Sequence, residues 1–144
     1  YRLSRKEGFG TEVKRRILLG TFVLSAGYKD AFYKKAQKVR KLIIEEFKTA
    51  FKDCDLIALP TSLTPAFEIG SIVDPLTMYK SDSCTISTNL AGLPAISCPA
   101  GFSKDNKPMG IQFLGPQTHD AFVCQAAQAF EKINSSHAQI PSLV

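Results

Sequence analysis

The sequence predicts an α/β fold, a mixed sheet flanked by helices, and three stretches carry that reading. Between residues 30 and 52, Phe32, Ala36, Val39, Ile43, Phe47 and Phe51 recur every three or four positions with Lys and Glu on the other side, which is the period of a helix with one apolar face. Asp55-Leu-Ile-Ala-Leu-Pro60 is a short apolar run ended by proline, as expected of a strand inside a sheet covered on both faces. Residues 79–115 read as a helix at about 81–91 stopped by Gly92 and Pro94, then strands at about 95–102 and 109–114 joined by the polar loop 103–108.

The remaining elements follow from local signals. After a loop around Gly8 and Gly10, Thr11 is placed to cap a helix that turns Val13, Ile17 and Leu18 inward, with Glu12 in its first turn and Arg15 and Arg16 within it. Gly20 and Gly27 leave open whether that helix continues or breaks. Residues 61–75, rich in proline, form a loop. Thr118 is expected to cap a last helix with Phe122, Ala126, Ala129, Phe130 and Ile133 as its contacts, and residues 134–144 to form a flexible tail.

Composition narrows the classes. The chain has 144 residues, 44% of them hydrophobic and 22% charged, which is ordinary for a globular protein and argues against disorder. Apolar runs such as 17–19 and 56–60 fall far short of the roughly 20 residues a membrane-spanning helix needs. The chain opens at Tyr1 without an initiator Met or an apolar leader, so a start inside a longer polypeptide is expected. Cys54, Cys84, Cys98 and Cys124 form no Cys-x-x-Cys pair, and each sits in an apolar or helical context suited to an inert reduced thiol. His119 and His137 stand apart from any metal-ligand pattern.

Charge is uneven. Residues 1–53 hold 14 Lys/Arg against 6 Asp/Glu, a balance of +8, and residues 54–144 hold 4 against 7, a balance of −3. The basic half could face RNA phosphates, yet its cations alternate with apolar residues at helical spacing and lack aromatic platforms, as on a solvated helix face.

No Gly-x-Ser-x-Gly elbow, phosphate-cradling glycine loop or paired carboxylates occur, so the chain shows no catalytic constellation of its own. Binding chemistry remains. Asp82 is the only carboxylate between Asp74 and Asp105, placed either to cap the helix it precedes or to hold a cation. Arg15 or Arg16 could grip a carboxylate through paired hydrogen bonds, and with Asp82 would suit a zwitterionic amino acid; the plainer alternative is exposed helix charges and an N-cap.

Asp55-Leu-Ile-Ala-Leu-Pro-Thr61, Asn89-Leu-Ala-Gly-Leu-Pro-Ala-Ile-Ser97 and Pro108-Met-Gly-Ile-Gln-Phe-Leu-Gly115 resemble the C-terminal third of the amidase signature family. Glu7-Gly-Phe-Gly10, Glu12-Val-Lys-Arg-Arg-Ile17, Leu19-Gly-Thr-Phe22, Leu24-Ser-Ala-Gly-Tyr28 and Lys35-Ala-Gln-Lys-Val-Arg40 narrow the resemblance to the A subunits of bacterial glutamyl-tRNA(Gln)/aspartyl-tRNA(Asn) amidotransferases. The resemblance covers about residues 5–132. Lys29, where an aromatic is usual, and Cys98-Pro-Ala100, where Val-Pro-Cys is frequent, depart from it.

The resemblance implies the C-terminal portion of the amidase signature fold, in a subunit that releases ammonia from glutamine. Subunits B and C complete a cytoplasmic heterotrimer that amidates misacylated tRNA, with ATP and Mg used by the partner subunit and no cofactor bound by this chain. The family's nucleophilic serine, second serine and lysine lie in upstream segments that this sequence does not contain, so no catalytic residue carries over and the chain alone is expected to be inactive. The glutamine pocket does carry over: Arg16 is implied to bind the α-carboxylate and Asp82 the α-ammonium, with Arg15 structural. The competing expectation is a non-catalytic interaction or RNA-contacting module on an amidase-like scaffold. Upstream residues separate the two, since the first requires a Lys segment and a Gly/Ser-rich stretch there.

Overall fold

A computed structural model describes residues 2–25, 28–72 and 74–139. The chain divides into two compact units, residues 1–42 and 43–144.

In the first unit, α1 (Arg2–Gly8) and α2 (Thr11–Leu24) are joined at Gly10, which occupies the N-cap position without a side chain to contribute. Thr11 is therefore the first helical residue and not the cap, and α2 runs through Gly20 to Leu24, with Ser25 as its C-cap; Gly27 lies outside the described residues. The loop expected around Gly8 and Gly10 is present at Phe9 and Gly10, and it is preceded by helix α1. Its sequence, Arg-Leu-Ser-Arg-Lys-Glu-Gly, is too polar to show a 3.6-residue period, so no pattern announces it. Val13, Ile17 and Leu18 do not turn inward as expected; they are 45%, 50% and 71% exposed. A wide turn of π-helical form at Lys29–Tyr33 follows, with Tyr28 packed on Phe22 and Phe32 at ring-centroid distances of 4.3 and 6.0 Å. It leads into α3 (Lys34–Ala50), the expected amphipathic helix, and the boundary between the units falls within it.

The second unit is built on a three-stranded sheet of order β1-β3-β2, formed by β1 (Ile57–Pro60), β2 (Ala95–Phe102) and β3 (Pro108–Leu114). The expected α/β character holds, while both pairings among the described residues are antiparallel. Strand β1 lies at an edge of this sheet and is only half-buried, in contrast to the interior position its apolar run suggests.

Helices α4 (Pro75–Lys80), α5 (Ser83–Ala91) and α6 (Asp120–Ile133) complete the unit. Directly opposed residues of an antiparallel pair point to the same side. One face therefore carries Ser97 and Gln112, and the other carries the pairs Ile96–Phe113 and Cys98–Ile111. The second face receives α6, with Phe113 and Phe130 edge to face at 5.5 Å. The buried apolar core consists of Ala91, Cys98, Leu114, Val123 and Ala127.

Helix α5 stops as expected. Gly92 adopts the left-handed conformation, φ 66° and ψ 42°, that glycine tolerates, and its N–H and that of Leu93 return to the last-turn carbonyls. Helix α6 starts one residue later than expected: His119 holds the cap position, and Thr118 sits at φ 69° with its hydroxyl donating to the Gln117 carbonyl. Beyond α6, Ser135–Ala138 forms a 3₁₀ turn capped by Asn134, whose amide donates to the Pro99 carbonyl at 3.2 Å; residues 140–144 of the expected tail lie outside the described residues.

Candidate functional site

Asp82 lies at the corner where α4 ends and α5 begins. Its backbone sits at φ −88° and ψ 2°, its N–H donates to the Tyr79 carbonyl at 3.2 Å, and its own carbonyl accepts from Thr85 and Ile86 at 2.9 and 3.0 Å. The carboxylate makes no cap hydrogen bond. The side-chain capping expected of Asp82 does not occur, because at this ψ the carboxylate is not aimed back at the N2 and N3 amides as an extended N-cap residue's would be. The hydroxyls beside it turn backward, Ser83 Oγ donating to the Lys80 carbonyl at 2.6 Å and Thr85 Oγ1 to that of Asp82 at 3.1 Å, so they tie carbonyls of the corner and supply no acceptor for the first amides of α5. Asp82 thus keeps an exposed anionic group that its own helix does not use. Asp74 is the residue that caps, accepting from the Thr77 N–H and hydroxyl, each at 2.8 Å, at the start of α4.

Arg16 projects from α2, where its Nε donates to Glu12 Oε1 at 2.8 Å; Arg15 pairs with the other oxygen of the same carboxylate. The side chains of Arg16 and Glu12 are 58% and 50% exposed, so the pairing adds little stability and the guanidinium is easily re-paired. Arg16 belongs to the first unit and Asp82 to the second, and each is described within its own.

Sequence reasoning missed a polar cleft under α5. A cavity of about 270 Å³ is lined by Thr61, Thr85, Thr88, Asn89, Ser97 and Gln112, among others, and none of its lining side chains is charged. Thr88 is buried and its hydroxyl has no partner. Gln112, only 3% exposed, donates from Nε2 to the carbonyls of Cys84 at 2.8 Å and Pro60 at 3.2 Å. The one signal available was a glutamine in an otherwise apolar strand, where a polar side chain needs a partner.

The four cysteines are free thiols. The Nδ1 atoms of His119 and His137 lie at hydrogen-bond distance from the nearby carbonyls of Gln117 and Asn134. Among the described residues no helix is long and apolar enough to cross a membrane.

A small antiparallel sheet packed with helices places the molecule among α/β proteins. Residues 1–124 match the family model described as Amidase, and the chain belongs to the amidase family. It is 63% identical over 144 residues to the A subunit of the glutamyl-tRNA(Gln) amidotransferase of Protochlamydia amoebophila, covering 100% of this chain and 29% of that protein. A solved structure of the corresponding glutamyl-tRNA(Gln) amidotransferase A subunit of Thermotoga maritima matches with a TM-score of 0.70 and 49% identity, covering 90% of this chain and 29% of that one. A crystal structure of an amidase at 22% identity and a TM-score of 0.71 shares the fold, covering 90% of this chain and 30% of that one. The chain spans less than a third of the length of these relatives.

Proposed function

We propose that the chain forms the glutamine-binding side of the amidase subunit of a tRNA-dependent amidotransferase, and that Arg16 receives the substrate α-carboxylate and Asp82 its α-ammonium. The observation that carries the reading is the 63% identity, over the whole chain, to a relative named as the A subunit of a glutamyl-tRNA(Gln) amidotransferase. The exposed Asp82 carboxylate, which its own helix leaves unused, supports it.

The chemistry is differential. A guanidinium offers parallel N–H donors matched to a carboxylate, and an aspartate accepts from an ammonium, so an amide lacking either group leaves a partner unsatisfied in the site. On binding, the substrate carboxylate replaces Glu12 as a partner of Arg16. The nucleophile comes from segments outside these 144 residues. The released ammonia serves transamidation of Glu-tRNA(Gln) or Asp-tRNA(Asn) with subunits B and C in the cytoplasm, with ATP and Mg used by the partner subunit.

In the complete complex built from the full-length protein and its partners, Arg16→Ala and Asp82→Ala are each expected to lower glutamine-dependent amidation by about 10–100-fold while ammonia-dependent amidation persists. Equal loss of both activities counts against the pocket. The 144-residue chain alone is expected to hydrolyse no glutamine, and measurable turnover overturns the assignment of the nucleophile to other segments.

A further inference from the structure

We infer that Gln112 is the positioning residue for Asp82: its buried amide fixes the first turn of α5 to the sheet and thereby sets where the carboxylate stands. The inference rests on the reading of Asp82 as the ammonium partner.

Gln112 lies on the central strand and is 3% exposed. Two carbonyl acceptors demand that its NH₂ end face them. One belongs to Cys84 in the first turn of α5, two residues after Asp82, and the other to Pro60 at the end of β1. A single side chain thus joins three elements. The Cys84 carbonyl is already the kind that a helix uses internally, so Gln112 takes its second lone pair and costs the helix nothing.

Few other groups could do this work. The Asp82 carboxylate makes no cap bond, and Ser83 and Thr85 satisfy only carbonyls at the α4–α5 corner. At the opposite end of α5, Gln117 Nε2 donates to the Ala91 carbonyl at 2.8 Å, so the helix is held at both ends by glutamine amides. Of these two glutamine ties, that of Gln112 is at the end that carries Asp82. Displacing a binding group by even an ångström weakens the interaction it makes, and losing the Gln112 donor removes the bonds that tie the first turn of α5 to the sheet.

The test uses the full-length protein in complex with its partner subunits. Gln112→Met, which keeps the volume and removes the donor, is expected to raise KM for glutamine by about tenfold with kcat nearly unchanged and ammonia-dependent amidation retained. Asp82→Asn is expected to raise KM as well, and combining it with Gln112→Met to raise it no further, because the glutamine acts through the aspartate. Gln117→Met, a cut of similar chemistry at the far end, should leave KM near wild type. Should Gln112→Met not fold, Gln112→Glu carries the test: the neutral acid donates and the ionised one repels both carbonyls, so its KM relative to wild type rises with pH. An unchanged KM in the Gln112 variants beside a raised one in Asp82→Asn, or additive effects in the double variant, overturns the inference alone. An unchanged KM in Asp82→Asn overturns the ammonium reading and the inference with it.

Discussion

The hydroxyls of Thr61 and Ser97 meet at 2.6 Å although the strands they extend, β1 and β2, are separated by β3. They reach each other over Gly110. A Cβ there would stand 2.8 Å from Thr61 Oγ1 and 3.2 Å from Ser97 Oγ, and the Gly110 carbonyl itself accepts from the Thr61 N–H at 3.0 Å. The bare central strand and the hydroxyl pair are one arrangement, and Thr61 and Ser97 form part of the wall of the polar cleft below α5.

Gly110→Ala is therefore expected to destabilise the full-length protein by about 1–3 kcal/mol, the usual cost of forcing atoms into a filled space. Adding Thr61→Ala removes the nearest obstructing atom and should recover part of that loss. Denaturant midpoints of the two single variants and the double measure the coupling. Strictly additive losses would show that the hydroxyl pair does not depend on the missing side chain.

Gly115 has the same relation to α6. A Cβ at this position would lie 2.5 Å from Val123 Cγ2, and Val123 is one of the buried core residues. Gly115→Ala should push α6 off the sheet and cost about 1–3 kcal/mol, and Val123→Ala in the same protein should make room for it. A double variant less stable than the sum of the singles would refute this.

How much of this the sequence announced depends on whether the signal was periodic or pairwise. The α3 face from Ala36 to Phe47, the Gly92 stop of α5 and the strands β2 and β3 were legible because each is written in a local period or in a residue with special backbone freedom. Asp74-Pro75, an N-cap followed by proline, does signal α4, but the prolines before it make the whole stretch read as one loop. Asp82 was legible as a lone carboxylate, but that it makes no cap bond follows only from the backbone angle in the structure. Thr61 and Ser97 are 36 residues apart and Gln112 and Cys84 are 28 apart. Nothing local pairs them, since such contacts exist only once the sheet has set its register.

Cys98 offers a chemical check on the core. The thiol is 3% exposed, and burial, helped by the charge of Glu131, pushes its pKa up, which lowers the thiolate share at any given pH. Mass spectrometry after brief iodoacetamide treatment at mildly alkaline pH should find Cys98 unmodified in the folded full-length protein and modified after denaturation. Rapid labelling of Cys98 in the native state would contradict the packing of α6 on the sheet.

Asp74 supplies a pH test at α4. Hydrogen bonds from the Thr77 hydroxyl and then from its N–H hold the carboxyl below the usual carboxylate range. A pKa depressed by folding means that the cap is fully effective above the unfolded-state value and is lost as pH falls through the lower folded one. The Thr77 amide should accordingly stay protected through mildly acidic pH, and then shift and exchange faster only below the range where free carboxylates titrate. Asp74→Asn retains an oxygen acceptor for the N–H but cannot titrate, so its Thr77 resonance should be flat over the same interval, while Asp74→Ala should fray α4 at every pH. A wild-type Thr77 midpoint at or above the ordinary aspartate value would mean that the two hydrogen bonds do not favour the ionised form.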